Sequence, residues 1–208
     1  MPIASHFSRQ LCLSSLVLAA AVGPATTAIA QTAFLEITAG QTDGWNTPAF
    51  DIEVFPGNTL RITSFRFELG SSSFNFDEVY EEFESFIGGN GNETATLIEG
   101  DREQNEARTT AFEYEFDGFD LDERFTTEAD VDRTSGDSIE DAREIFFNNG
   151  SAPNAIATVG FSNGRSASLV LPDGLFGQSR YFYIVAVPGP SSATLVAIGG
   201  LVLTRRRR

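Results

Sequence analysis

There is no lysine in this 208-residue chain, its one histidine is His6 and its one cysteine is Cys12. Both lie within the first 30 residues, in a stretch that reads as a removable leader, so the remaining body has no imidazole, thiol or amine side chain. That excludes from the body a Ser-His-Asp triad, a Cys-His pair and a Schiff-base lysine. It equally excludes a zinc site with nitrogen or sulfur ligands and any structural disulfide. Carboxylate chemistry, help from tyrosine or arginine, and hard cations held by oxygen are what remain.

The leader reading rests on order. Residues 1–10 carry Arg9, residues 11–22 are apolar, Gly23-Pro24 ends the helix, and Ala28-Ile29-Ala30 is a small-x-small cleavage site. Residues 1–30 are therefore predicted to be a secretory signal peptide, with the mature chain starting at Gln31. Cys12 falls inside the apolar run and belongs to that signal.

Basic charge is scarce. All 14 basic residues are arginines, one in the leader and four at the C-terminus, which leaves nine against 29 acidic residues and a formal charge of −20 on the body. Such a surface repels nucleic acid and anionic membranes, and suits a solvated exterior or divalent cations. Without disulfides the body needs an apolar core. Its roughly 155 residues and the chain's 19 phenylalanines are enough to build one.

The far end holds Val187-Pro188-Gly189-Pro190, an apolar run over 193–203, and Arg205, Arg206, Arg207 and Arg208. The two prolines fix φ and remove backbone donors, so strand pairing stops there. The apolar run is shorter than the roughly 20 residues of an ordinary spanning helix. It forms a marginal transmembrane tail, held on the cytoplasmic side by the arginines. This order of parts resembles the PEP-CTERM sorting signal of Gram-negative bacteria, with Gly189 where the family's usual glutamate stands. The resemblance covers residues 187–208. It implies an exosortase substrate: transient anchoring in the inner membrane, processing by an exosortase-like enzyme, and delivery to the cell surface or extracellular matrix, where exopolysaccharide is the expected neighbour. An unprocessed tail anchor is the alternative.

Between the two ends the apolar pattern is mostly period two, which predicts half-buried strands. Ala33, Leu35, Ile37 and Ala39 alternate with polar or outward positions; Phe50, Ile52 and Val54 follow. Residues 59–69 change phase near Ser64, which predicts a bulge. Phe112, Tyr114 and Phe116 alternate with Glu113, Glu115 and Asp117. Residues 77–87 have helical spacing at Val79, Tyr80, Phe83, Phe86 and Ile87, with Asp77 as N-cap and Gly88-Gly89 as stop. After Asp137-Ser138, residues Ile139, Ala142, Ile145 and Phe146 read as a second short helix stopped at Asn149-Gly150, and Ile145-Phe146-Phe147 read equally well as strand. The stretch 155–171 reads as a hairpin whose loop is Ser162-Asn163-Gly164, with Gly164 at positive φ; only that loop pairs Val159 with Ala167 and keeps the apolar face whole. Residues 181–187 are apolar on both faces, as a central strand would be. The expected architecture is one mainly β domain over 31–187, an antiparallel β-sandwich of jelly-roll or immunoglobulin-like type with one or two short helices.

Candidate binding residues are few. Trp45, in a turn-rich loop, reads as a lid over the core or a sugar-stacking platform. Asp117, Asp120, Asp122, Asp130 and Asp132 form the densest acidic stretch; the Asp-x-Asp pairs 120/122 and 130/132 point two carboxylates one way, as a calcium site needs. The EF-hand frame is missing. No carboxylate pair stands out for glycoside chemistry. The expectation is therefore an exported, non-enzymatic surface or matrix protein, with a glycan- or calcium-binding module as the alternative and a carboxylate-dependent glycan hydrolase behind it.

Overall fold

A computed structural model describes residues 31–40, 47–54, 59–103, 108–136, 140–147, 153–174 and 177–187. The expectations placed on the leader, on Trp45, on Asp137-Ser138 and on the tail from Pro188 onward lie outside the described residues.

The body is a β-sandwich of two antiparallel five-stranded sheets. One sheet has the order β10-β1-β2-β7-β4, formed by Arg180–Val187, Gln31–Thr38, Ala49–Val54, Arg124–Arg133 and Phe74–Ile87. The other has the order β5-β6-β3-β8-β9, formed by Thr94–Glu99, Ala111–Asp117, Ile62–Glu68, Ile156–Phe161 and Ser166–Val170. Alternation along the strands sends one set of side chains into the space between the sheets. Ala33, Leu35 and Ile37 of β1, Phe50, Ile52 and Val54 of β2, and Phe65 and Phe67 of β3 are all fully buried there. The rings cross between layers: Phe50 lies 4.7 Å from Phe67 and 5.1 Å from Phe112, and Phe125 of β7 lies 4.9 Å from Phe116. Many of these contacts are tilted or edge-on, the geometry that the ring quadrupole favours.

One short helix, α1 (Ala142–Phe147), plugs the core beside Phe50. Its first turn is capped by Asp141, whose Oδ1 accepts the Arg143 N–H at 3.0 Å and whose carbonyl accepts that of Glu144 at 2.9 Å. The Arg143 side chain on that carboxylate holds Asp141 below its ordinary pKa. Ile145, Phe146 and Phe147 are buried.

The hairpin β8–β9 has the predicted register: Val159 pairs with Ala167 and Ala157 with Leu169. Gly164 sits at φ 75° and donates its N–H to the Phe161 carbonyl at 2.9 Å. The phase change in β3 is a register shift between Ile62 and Ser64 against β8. Two expectations fail. Residues 77–87 are not a helix but the greater part of the 14-residue strand β4, whose pairing with β7 shifts between Phe76 and Val79 and again between Tyr80 and Ser85. Each irregularity displaces the apolar positions, and two of them turn a period of two into spacings of three and four that imitate a helix. Nor is β10 central: it is the edge of its sheet, with Phe182 and Ile184 each 55% exposed. Phe182 has local partners instead, 5.9 Å from Phe34 and 5.7 Å from the Arg180 guanidinium.

The sandwich begins and ends at one place. Gln31, the first residue of β1, pairs with Val187, the last of β10.

Candidate functional site

The first irregularity in β4 builds the main polar site of the described residues. Asn75 of β4 stands directly opposite Asp132 of β7, and Phe76 opposite Val131. Alternation therefore puts Asn75 and Asp77 on one face with Asp130 and Asp132, while Phe76 and Val131 go to the core. Beyond Phe76 the strand gains a residue relative to β7 before pairing resumes at Val79 with Ala129, so the strand bends and its carboxylates close on those of β7. One oxygen from each of Asp77, Asp130 and Asp132 lies within 4.8 Å of the others.

The described ends of the β5–β6 connection cover the edge of β4 at this point. The Val79 N–H donates to the Asp101 carbonyl at 2.7 Å and the Phe76 N–H to that of Thr109 at 2.7 Å. Asp77 is fully buried and Asp132 nearly so, while Asp130 is half-buried. Asp130 Oδ1 accepts the Val131 N–H at 2.8 Å. Arg108 comes from the cover, with its Nε 3.7 Å from Asp77 Oδ1 and its guanidinium donating to the Arg133 carbonyl at 3.4 Å. The surplus of negative charge shows in the neighbours. Glu78 is pushed above its ordinary pKa by burial and then by Glu82, Asp77, Asp130 and Asp101, and the Tyr80 hydroxyl is raised by burial and then by Asp130 and Glu78. Asn75 is fully buried, and neither its Oδ1 nor its Nδ2 has a hydrogen-bond partner among the described residues.

The acidic stretch singled out in the sequence is thereby divided. Asp117 ends β6, and Asp120 and Asp122 occupy the turn before β7. Asp120 pairs with Arg61 at 2.5 Å, and Asp122 holds a positive φ of 66°. Six residues along β7 separate Arg124 from Asp130, roughly 20 Å at the rise of an extended strand. The two Asp-x-Asp pairs therefore sit at opposite ends of it. Sequence reasoning missed Asn75-x-Asp77, whose Asp77 has the pattern of a helix N-cap; it repeats, on the neighbouring strand, the alternation of Asp130-x-Asp132.

A second carboxyl pair sits in the turn region. Glu93 accepts the N–H groups of Asn90 at 2.7 Å and Gly91 at 2.9 Å, which with its own backbone hydrogen bond lowers its pKa. Glu123 is buried, accepts the Asp120 N–H at 2.5 Å and shares a hydrogen bond with Glu93; burial first, and then Glu93, raises its pKa. These two clamp neighbouring turns. Carboxyls hydrogen-bonded to each other are also closer than the roughly 5 Å or more that separates the two acids of a glycosidase.

Among the described residues, two further clefts open elsewhere. One, of 480 Å³, is lined by Thr59, Leu60, Arg61, Asp120, Leu121 and Ser162. The other, of 360 Å³, lies along Arg180, Tyr181, Phe182 and Tyr183 with Asp173 at its rim. Each has a single carboxylate, whereas glycoside acid/base chemistry needs two.

A third network is internal. The buried Tyr114 hydroxyl donates to Glu84 and lies 2.9 Å from Thr127 Oγ1, and Glu84 in turn is paired with Arg102. It ties β6, β7 and β4 through satisfied polar groups.

No family model, curated protein or solved structure matches this chain.

Proposed function

We propose that the chain is an exported, non-enzymatic surface or matrix protein: an acidic β-sandwich carried by a signal peptide and sorted through a PEP-CTERM-like tail. The observation that carries this reading is the pairing of Gln31 with Val187. The residue after the predicted signal cleavage and the residue before Pro188-Gly189-Pro190 are partners at one corner of one sheet. Both labels attach there, so removal of either leaves every described strand whole. Pro188 has no N–H to extend the ladder, which marks where β10 gives way to the tail. In sequence the sorting tail begins at the residue directly after the last residue of β10.

Two further features support it. The body's formal charge of −20 suits a hydrated exterior beside exopolysaccharide and opposes nucleic-acid binding. Glu93 and Glu123, which lie close enough to share a hydrogen bond, are engaged in holding neighbouring turns, a structural use of that carboxyl pair. The alternative of a calcium-binding module is favoured by the pocket at Asp77.

The test compares the full chain with a variant lacking residues 188–208, both expressed in a bacterium that has an exosortase. The full chain is expected in the envelope or matrix fraction, and the shortened chain folded in the periplasm or the medium. Identical fractionation of the two would remove the sorting reading, and retention of the full chain in the cytosol would remove the export reading.

A further inference from the structure

We infer that the pocket formed by Asn75, Asp77, Asp130 and Asp132 is a calcium site that fastens β4 to β7. The inference stands whether or not the chain is exported. Three carboxylates with an oxygen each inside a 4.8 Å circle, in a pocket where Asp77 and Asp132 are almost wholly buried, repel one another strongly. Arg108 brings one positive charge to 3.7 Å from Asp77. A divalent cation among the three oxygens would turn their mutual repulsion into attraction. Two oxygens that each lie about 2.4 Å from a calcium ion are at most about 4.8 Å apart, and these three lie within that separation of one another.

The independent observation is Asn75. It is fully buried, with both side-chain polar atoms lacking a hydrogen-bond partner among the described residues, and a buried amide left in that state is costly. It faces Asp132 across the β4–β7 pair, where opposite side chains on one face start about 5 Å apart. An amide oxygen is an ordinary calcium ligand. A cation held by the three carboxylates gives Asn75 Oδ1 the partner it lacks, and the half-buried Asp130 leaves room for water to complete the shell. Calcium is favoured over magnesium because carboxylates on two strands form an irregular cage, which calcium accepts and magnesium's strict octahedron does not.

The test uses the full chain, stripped with chelator and titrated with calcium chloride by calorimetry, together with thermal unfolding at about 1 mM calcium, the range of extracellular modules. Calcium is expected to bind with one-to-one stoichiometry and to raise the unfolding midpoint. Asp132→Asn keeps the shape and removes one charge. It is expected to weaken binding at least tenfold and to unfold at the same temperature with or without calcium, while in chelator it is no less stable than wild type because repulsion is relieved. Asn75→Ala is expected to weaken binding several-fold. Asp120→Asn, at the other end of β7, should respond to calcium as wild type does. Absence of binding to wild type, equal binding by Asp132→Asn, loss of binding in Asp120→Asn, or an equal response to magnesium would each overturn the assignment.

Discussion

Phe50→Ala is expected to destabilise the sandwich by about 3–5 kcal/mol, the range for removing a buried phenylalanine. The ring is the hub of the core. It lies 4.7 Å from Phe67, 5.1 Å from Phe112, 5.8 Å from Phe146 and 6.5 Å from Phe65, so its loss opens a cavity shared by both sheets and α1. Large neighbouring rings on fixed strands cannot collapse into that space, which places the cost at the upper end of the range. For a domain of this size the unfolding midpoint should fall by about 10 °C or more. Urea denaturation measures the change directly: a lower midpoint at unchanged slope is the expected signature, and a midpoint within error of wild type would mean that Phe50 is not central to the packing.

Gly70→Ala is the second large effect, and Gly40→Ala is its internal control. A β-carbon on Gly70 would run into the Pro153 carbonyl and come within 2.5 Å of that of Asn154. Both are backbone atoms at the entry to β8, and Asn154 is itself held, its side-chain amide donating to the Leu171 carbonyl at 2.5 Å. Neither can rotate aside, so the β3 and β8 ends must move apart, at a cost of roughly 3 kcal/mol. Around Gly40 no described atom lies within 4 Å of an added β-carbon, and its φ is not positive. Alanine there should be neutral or stabilising by up to about 1 kcal/mol, through the unfolded chain's lost freedom. Equal midpoints for the two variants in thermal unfolding would contradict the close approach at Gly70.

Those parts of the fold with one wet face were legible in the sequence. In β1, β2 and β6 a buried face forces strict alternation, and the side chains report it. The hairpin at Gly164 was legible to the residue, because its alternative turn would have split the apolar face. The bulge in β3 showed as a single change of phase. Two such changes in β4 are no longer distinguishable from a helical period, since Val79, Tyr80, Phe83, Phe86 and Ile87 satisfy both descriptions. β10 differs for another reason: Phe182 and Ile184 are apolar yet outward and half exposed, and Phe182 packs on Phe34 and Arg180 and not on a second layer.

The carboxylate pocket was half legible. Asp130-x-Asp132 showed two acids on one face of an extended chain. Asp77 and Asn75 reach them only through the pairing of strands more than 50 positions apart, which no local pattern encodes. The available signal was the second alternation, Asn75-x-Asp77. The helix-like spacing of the apolar residues that follow it masks that alternation. Asp120 and Asp122, equally acidic on paper, lie at the far end of β7, where Arg61 pairs with Asp120.

The corner where Gln31 meets Val187 links the fold to the proposed route, and the covalent ends of the natural protein test that link most directly. Intact-mass and terminal-peptide mass spectrometry of the protein recovered from its producing cells should find a chain that starts at Gln31 and ends near Pro188-Gly189-Pro190, without Arg205 to Arg208. A cytosolic species that keeps both Met1 and Arg208 would contradict it.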